Sequence, residues 1–492
     1  MQIRDAGFEE MSLASLNSRM SFRKPTTMLT DALGTLVVRG VGIALMFVST
    51  TVTAILLGPE EYGAYSAALA LAVLMASLAP LGSDRILVRN LSTTKCPDEA
   101  GCETAIAHLC TGITAAVLIG AALTGWFVNT LVFDNPDWAR TLLLATMMFV
   151  PLTVILLRQW LALPILGSRR AVIPEQTILP FVFTVSLLLI SVAGWQLGAG
   201  TAAATYAIVM AMVWIGSLQT GSIRTVYQSA WNAIPNARQA DIRRQFREGL
   251  PFVSVGIGSL LTQSAMPLLI AATCGFEETA YFTLAFPYAV LASVPLGVFN
   301  FTMIPRCARH YKLGEFTEAN HAVRSAATVT VLLSATLSIV IWTCSPILAT
   351  LVGPEYSMVC RLLPPLLLGV IVDCLTGPTI PVMQTMNMEK TYAQALFAFI
   401  PILLCLVYWF SRVAGVEGAA CAYCVSRCLW NVIVVVAIYR HRGLVMLPYL
   451  RIRQAFNEFR PVLETGATGS SRQSLWKIAG TTDPATVQTR AA

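Results

Sequence analysis

The sequence predicts an all-α polytopic membrane protein with about twelve transmembrane helices in two pseudo-symmetric six-helix bundles. The first observation is composition: 56% of the residues are hydrophobic, 12% are charged, and the mean hydropathy is +0.67. Ordinary soluble domains carry roughly 25% charged residues. The second observation is a series of long apolar runs, and the third is a helical-hairpin pattern that occurs twice.

The hairpin pattern occupies residues 56–89 and returns at residues 275–306. In both copies a glycine precedes a pair of glutamates, Glu60-Glu61 in the first and Glu277-Glu278 in the second. An apolar helix then leads to a Pro-Leu-Gly sequence and a basic residue. Two copies in one chain indicate an internal duplication, which is a common construction in polytopic membrane proteins.

The apolar runs give the individual spans. Each run is long enough for a helix to cross a hydrocarbon core of roughly 30 Å. The predicted spans are residues 33–57, 63–82, 105–128, 140–163, 177–197, 201–220, 248–272, 280–304, 325–352, 362–384, 392–411 and 416–438.

These spans divide the chain into five segments. We predict an N-terminal six-helix bundle (33–220), a polar cytoplasmic linker (221–247) and a C-terminal six-helix bundle (248–438). Polar cytoplasmic tails precede and follow them, at residues 1–32 and 439–492. No apolar core of a cleaved signal peptide occurs before residue 33.

The distribution of positive charge predicts the orientation in the membrane. If the N-terminus is cytoplasmic, the inside segments hold 27 of the 33 lysines and arginines, whereas the outside turns are mainly acidic. Cytoplasmic loops are enriched in lysine and arginine, so we expect both termini in the cytoplasm and the protein in the inner membrane. The net charge of +7 therefore reports orientation, and we predict no nucleic-acid partner.

Several functional classes receive no support from the sequence. The predicted outside loops are too short for a catalytic domain, and no phosphate-binding G-x-x-x-x-G-K-[ST] loop or H-E-x-x-H metal motif occurs. Cys421, Cys424 and Cys428 share one helical face without a further ligand in register, and we interpret them as packing residues. We predict a protein that is not an enzyme and has no metal or cofactor.

Charged residues inside the spans are the main candidate site. Arg39, Arg158, Asp373 and Arg427 all lie within predicted helices. An arginine or aspartate near a helix centre costs roughly 2.5–3.5 kcal/mol on insertion scales, so such groups usually face a watery cavity or a partner. Two alternatives stay open: Arg39 and Arg158 extend to the cytoplasmic interface, or Arg427 pairs with Asp373.

The sign of these charges favours an anionic ligand. The first six predicted spans hold Arg39 and Arg158 but no centrally placed acid, and guanidinium groups suit bidentate contacts with phosphate. Neutral polar residues in the C-terminal bundle, Gln263 and Asn300 among them, are candidates for sugar contacts.

At this point the chain resembles the polysaccharide flippases, the O-antigen and exopolysaccharide flippases of the MOP transporter superfamily. The resemblance rests on Leu-Gly-Pro-Glu-Glu-Tyr-Gly-Ala-Tyr at 57–65, Pro-Leu-Gly-Ser-Asp-Arg at 80–85 followed by Arg89, and Gly-Pro-Glu-Tyr at 353–356. It implies two six-helix bundles around a central cavity that opens alternately to each side. It also implies movement of an undecaprenyl-diphosphate-linked oligosaccharide from the cytoplasmic to the periplasmic leaflet.

Two further expectations accompany this resemblance. Arg85, Arg89 and Arg306 lie at the cytoplasmic ends of the repeated hairpins and are predicted to form the entry gate for substrate. Besides membrane lipids, a polysaccharide polymerase and glycosyltransferases are the expected partners. The exported glycan is an O-antigen, a capsule or an exopolysaccharide.

Two other functions remain open from the sequence. A multidrug exporter of the same superfamily is one, although such exporters favour cations and usually place acids in the N-terminal bundle. A non-transporting membrane scaffold for glycosyltransferases is the other. In a scaffold the intramembrane arginines have no cavity role, so their replacement leaves glycan export intact.

Overall fold

A computed structural model describes residues 25–92, 97–219, 221–236, 239–300, 316–379, 382–383, 388–443 and 447–449. Within these ranges the regular structure is entirely helical. The helices are α1 (Pro25–Leu57), α2 (Pro59–Leu78), α3 (Ser83–Leu91), α4 (Pro97–Leu131), α5 (Pro136–Leu166), α6 (Ser168–Ile173), α7 (Leu179–Val192), α8 (Ala199–Ser217), α9 (Gly221–Ala233), α10 (Gln239–Thr273), α11 (Phe276–Leu291), α12 (Val294–Asn300), α13 (Phe316–Val352), α14 (Met358–Thr376) and α15 (Glu389–Arg442).

Three short helical segments join these elements. A π-helix, Pro174–Ile178, connects α6 to α7. Two 3₁₀ segments follow, Ile234–Asn236 after α9 and Pro354–Ser357 before α14.

The predicted membrane fold is confirmed. Nine stretches of the described chain are long and apolar enough to cross a membrane, or ten if the bent pair α11–α12 (54°) is one span. The stretch Lys390–His441 has 52 residues, about 78 Å of helix, and non-helical dihedrals at Ala414 and Gly415 break it where the sequence separates two spans. With α15 counted twice and α10 as the seventh span, about twelve spans result.

Two stretches predicted as polar connections are helical. Residues 164–176 form the end of α5, all of α6 and the first turn of the π-helix, so Glu175 lies within a span (Ser168–Val192) instead of a loop. Residues 221–233 of the predicted linker form α9, because Ile223 and Val226 recur on one face and are buried. The division of the chain at 221–247 into two bundles stays a prediction.

The internal duplication appears as a repeated hydrogen bond. Glu61 Oε2 accepts a hydrogen bond from the backbone N–H of Ala199 at 2.5 Å, and Glu278 Oε2 accepts one from Val416 at 2.9 Å. In both cases donor and acceptor lie 138 positions apart in the sequence. Each carboxylate therefore satisfies an amide at the start of a distant helix, where no intrahelical partner exists. Arg140 donates to both oxygens of Glu61, at 3.0 and 2.7 Å.

The chain forms two compact units. Unit 1 comprises the residues up to 287 together with 346–362 and 400–419. One core of this unit lies at the predicted cytoplasmic end of its helices. It is formed by side chains of α3, α4, α5 and α9. The buried side chains there include Leu87, Leu91, Leu157, Leu161, Ile223 and Val226. The linker helix α9 is therefore part of this core.

Unit 2 comprises residues 288–345, 363–399 and those from 420 onward. Its core contains Val323 of α13, Val434 and Ile438 of α15, and Val382 and Met383 of a short described segment. These side chains are nearly fully buried, so α13 and the last part of α15 are packed together.

Glycines allow helices of unit 1 to approach each other's backbones. A Cβ built on Gly63 of α2 would overlap the carbonyl oxygen of Phe276 at the start of α11. A Cβ on Gly249 of α10 would likewise overlap the carbonyl of Leu81, in the turn between α2 and α3. The contacts at both ends of α2 are possible because glycine has no side chain, as in other tightly packed membrane helices.

We expect Gly63→Ala to lower the thermal stability of the protein in detergent, because the added methyl group forces α2 away from α11. Overpacking of this kind typically costs about 1–3 kcal/mol. The matched control is Gly112→Ala in α4, where a Cβ meets open space and alanine favours the helix by about 1 kcal/mol. Equal unfolding midpoints for the two variants, measured by the loss of the monodisperse fraction after heating, would contradict the close approach.

Candidate functional site

The predicted pair Asp373 and Arg427 lies together in unit 2. Arg427 Nε is 3.6 Å from Asp373 Oδ2, and their side chains are 25% and 22% exposed. The guanidinium carbon of Arg427 lies 5.0 Å from the ring centre of Tyr423, one turn earlier on α15. Such a contact between a cation and an aromatic face adds to the ion pair. The charges are thus compensated while part of each side chain stays accessible.

Two neutral side chains complete this site. Asn431 Nδ2 donates to Asp373 Oδ1 at 2.7 Å and to the carbonyl of Arg427 at 2.8 Å. Thr376 Oγ1 donates to Asn431 Oδ1 at 2.6 Å. We refer to Asp373, Thr376, Tyr423, Arg427 and Asn431 as the Asp373 cluster. Its hydrogen bonds fix the carboxylate between α14 and α15.

A glycine brings these two helices together. Gly369 precedes Asp373 by one turn on α14, and a Cβ built on it would lie 2.8 Å from Tyr423 Cε1 and 3.3 Å from Cys424 Cα. Since real Cβ contacts are longer, a larger residue at 369 would push α14 from α15 and lengthen the Asp373–Arg427 contact.

Of the other predicted site residues in the C-terminal half, the structure describes the side chain of Asn300 but not those of Gln263 and Arg306. Asn300 ends α12 in unit 2, and its Oδ1 is buried without a hydrogen-bond partner among the described residues. Gln263 lies in α10, but its side chain is outside the described part of the chain. Arg306 also lies outside the described residues.

The two predicted arginines of the N-terminal half occupy different environments in unit 1. Arg39 of α1 is partly exposed. Arg158 of α5 is only 2% exposed, and its Nη1 donates to the carbonyl of Ala171 at 2.9 Å. The charge of Arg158 also acts on Glu175 in the π-helix. Direct contact between Arg158 and substrate stays a prediction, and in this conformation the side chain is enclosed by the bundle.

The predicted gate residues of α3 lie in a polar network of unit 1. Arg89 Nη2 is 2.8 Å from Glu248 Oε2, and Arg244 Nε is 2.7 Å from Oε1 of the same carboxylate. The Arg85 guanidinium lies 4.3 Å from the Trp160 ring centre and its Nε is 3.6 Å from Asp84. The network ties α3 to α5 and α10, and the gate role of Arg85 and Arg89 stays a prediction.

Asp84 shows the balance of forces at this end of the helices. Burial raises the pKa of the Asp84 carboxyl, and the neighbouring positive charge of Arg85 opposes this shift only in part. The carboxylate form is therefore less favourable here than in water.

Several polar residues near these sites were not identified from the sequence. The predicted spans place Glu175 in the connection at residues 164–176, His108 within the span 105–128 and Tyr227 in the linker 221–247. One signal in the sequence could have identified Glu175. A charge such as that of Arg158 within a span needs a partner of opposite charge, and the first six predicted spans contain no centrally placed acid. The helical structure of residues 164–178 supplies it.

The arrangement is that of a helical protein with many membrane spans. The fold is similar to that of an inward-facing multidrug resistance transporter of the MATE family, which belongs to the MOP superfamily, with a TM-score of 0.64. The two sequences are 14% identical, and the match covers 83% of this chain and 98% of that one. It also matches the lipid II flippase MurJ in an inward closed conformation, with a TM-score of 0.62, 13% identity, and coverage of 92% and 94%. At this identity the likeness concerns the fold.

A third solved structure is a MOP superfamily transporter from Pyrococcus furiosus, with a TM-score of 0.53 and 14% identity. That match covers 84% of this chain and 95% of the other. No curated protein sequence matches the chain.

The family model for polysaccharide biosynthesis proteins matches residues 28–310, more than half of the chain. The chain belongs to this family, as the repeated hairpin and the Gly-Pro-Glu-Tyr motif predict. It is a multi-pass membrane protein whose fold is similar to that of these MOP superfamily structures.

We expect a swap of the two charges to restore part of the thermal stability that is lost when either Asp373 or Arg427 is changed alone. Asp373→Asn or Arg427→Gln leaves one uncompensated charge, which costs about 3–5 kcal/mol at fully buried sites and less here because a quarter of each side chain is exposed. The double variant Asp373→Arg/Arg427→Asp should recover thermal stability relative to either single charge reversal. Stability equal to that of wild type in both neutral variants would show that the pair is dispensable.

Proposed function

We propose that the chain moves an undecaprenyl-diphosphate-linked oligosaccharide from the cytoplasmic to the periplasmic leaflet for surface polysaccharide synthesis. Membership of the polysaccharide biosynthesis family supports the substrate class, and the MOP fold supports translocation. The protein acts as a transporter and forms no covalent intermediate. Its partners are the lipid-linked substrate, membrane lipids, a polysaccharide polymerase and glycosyltransferases, and its location is the inner membrane.

The observation that carries this proposal is the partly exposed Arg427 at the centre of the Asp373 cluster. A guanidinium group held against a tyrosine ring presents planar N–H donors to a diphosphate in fixed geometry. Asp373 keeps this charge compensated in the absence of substrate, and the diphosphate replaces the carboxylate when it binds. Exchange of one anionic partner for another avoids a stage at which a mid-membrane charge is unpaired.

Three further groups complete the proposed path. Arg39, partly exposed on α1, offers a second cationic contact in unit 1. Asn300 offers sugar hydroxyls an amide oxygen that has no hydrogen-bond partner among the described residues. At the cytoplasmic end, Arg89 leaves Glu248 as the gate opens and binds the incoming diphosphate. In alternating access these contacts form and break in turn, so the headgroup is never transferred into hydrocarbon.

Export of cationic drugs is the second candidate. Two observations favour it: an acid, Glu175, is enclosed in unit 1, and the matched solved structures include multidrug transporters. Loss of the protein should then sensitise cells to cationic dyes without altering surface glycan. The flippase proposal expects the reverse, with glycan lost and dye sensitivity unchanged.

The orientation is tested by reporter fusions. The excess of lysine and arginine on one side predicts that a fusion after Tyr439 is cytoplasmic and an insertion within 353–358 is periplasmic. A pair of reporters, one active only in the periplasm and the other only in the cytoplasm, should report opposite sides. Both fusions on the same side would exclude the proposed topology.

We expect Arg427→Gln and Arg39→Gln each to reduce surface glycan at least about tenfold at native expression, which corresponds to about 1.4 kcal/mol of lost binding or barrier stabilisation. Lysine at these positions should restore part of it, because it keeps the charge but loses the planar fork. Surface glycan and lipid-linked oligosaccharide retained in the inner leaflet are measured together.

Arg412→Gln is the matched control for Arg427→Gln. Arg412 also lies one turn after a tyrosine on α15, with its guanidinium carbon 5.7 Å from the Tyr408 ring, but it is exposed. Glycan export should be unchanged in this variant. Normal export by the Arg39 and Arg427 variants, with wild-type protein levels, would exclude the proposed anion contacts and favour the scaffold function.

A further inference from the structure

Five helical elements of unit 1 each direct one polar side chain into a common buried region. These are His108 of α4, Arg158 of α5, Glu175 of the π-helix, Trp214 of α8 and Tyr227 of α9, here called the Glu175 cluster. The charge of Arg158 acts on both Glu175 and Tyr227. The Tyr227 ring lies 5.4 Å from the His108 ring and 6.5 Å from the Trp214 ring, edge-on to both.

Each of these side chains has a buried polar atom without a well-formed hydrogen bond among the described residues, although the Trp214 N–H lies close to the Tyr227 hydroxyl. The atoms are His108 Nε2, Arg158 Nε, Glu175 Oε1, Trp214 Nε1 and Tyr227 Oη. Of the 13 such atoms in the described part of the chain, five thus belong to this one cluster. Native proteins leave few buried polar groups unpaired, and concentrations of them mark water-filled or functional sites.

The unpaired atoms are complementary in hydrogen-bonding character. The N–H groups of Arg158 and Trp214 are donors, and the Glu175 carboxylate is an acceptor. Nδ1 of His108 donates to the Thr104 carbonyl at 2.8 Å, so Nε2 of the neutral ring is an acceptor. Water molecules bridging these donors and acceptors would connect the Glu175 carboxylate to an imidazole and a phenol, groups that transfer protons.

The position of Glu175 separates it from an ordinary buried ion pair. A π-helix widens the backbone at Pro174–Ile178, and such segments are rare and frequently functional. Gly42 of α1 allows close approach here, since a Cβ on it would lie 2.6 Å from the carbonyl oxygen of Gln176. The backbone of the segment is therefore closely packed, while Glu175 Oε1 has no hydrogen-bond partner among the described residues. The carboxylate of Asp373, in contrast, accepts a hydrogen bond from Asn431.

The charged and titratable residues of the elements around the segment are few. Arg158 of α5 is the positive charge that acts on Glu175, and Tyr206 is the titratable residue of α8. On α1, Arg39 lies three residues before Gly42 and therefore on the same helical face. Arg169 and Arg170 of α6 are exposed, and α7 contains no titratable side chain.

We propose that the Glu175 cluster is a proton-exchange site whose titrating group is Glu175. The carboxylate is stable beside Arg158, and when Arg158 moves away it takes up one proton from a hydronium ion of the aqueous phase, which the bridging water relays without net change. The O–H bond that forms is broken again when Arg158 returns, and the proton leaves along His108 and Tyr227. Protonation state and helix position are thereby linked, whichever substrate is carried.

The test is a pH-difference infrared spectrum of the full-length protein in lipid nanodiscs, in sodium-free buffer without substrate. Acidification of the wild type should produce a carbonyl band of a buried carboxylic acid. Glu175→Gln should lose the band, and Glu175→Asp should shift its frequency. Asp373→Asn, which removes the buried acid of unit 2, should retain it. Because no substrate is present, the result is independent of the flippase proposal.

A second variant separates proton exchange from a fixed ion pair. In Arg158→Gln the stabilising charge is gone, so the Glu175 band should appear at a pH higher by at least about one unit. An unchanged band in Glu175→Gln would overturn the proposal. So would the same titration midpoint in Arg158→Gln and wild type, because Arg158 would then not control the proton.

Discussion

The backbone amides at the start of a membrane helix need acceptors, and two glutamates supply them in this protein. Glu61 accepts from Ala199 and Glu278 from Val416, each across 138 positions of sequence. Both glutamates lie in turns that are predicted to be outside the membrane, and a hydrogen bond from an N–H group to a carboxylate is roughly twice as strong as a neutral one. The carboxylates thus tie the beginning of one helix to the beginning of another.

Glycines make this contact and other close approaches possible. Gly415 adopts φ +59° beside Glu278, a conformation in the left-handed region that favours glycine. Gly63 and Gly249 lie where a carbonyl oxygen of another helix takes the place of a side chain. Van der Waals contact between backbones replaces the hydrophobic effect, which does not operate between helices in lipid. The close contacts between these helices therefore require glycine at positions 63 and 249, where any side chain would separate the backbones.

The sequence predicts the membrane fold well because hydropathy, positive charge and glycine-proline breaks act locally. The break at Gly415 and the repeat of Glu61 in Glu278 are visible in the residues alone. The buried sites are predicted less well. Asp373 and Arg427 could be paired because both are charged residues within apolar runs. Glu175 could not, because its segment reads as a polar loop and the burial of its Oε1 depends on packing against helices distant in the sequence.

The two acid–arginine pairs differ in a way that suits different tasks. In the Asp373 cluster the carboxylate accepts from Asn431, and a quarter of the arginine side chain is exposed. A satisfied, accessible pair of this kind suits the proposed exchange of the carboxylate for an anionic substrate group. In the Glu175 cluster Arg158 is 2% exposed and Glu175 Oε1 has no hydrogen bond from the described residues. This enclosure suits the proposed exchange of a proton better than contact with a bulky anion in this conformation. Since a low dielectric strengthens electrostatic interactions, a change of partner or of protonation at either pair would alter the attraction between the helices that carry it.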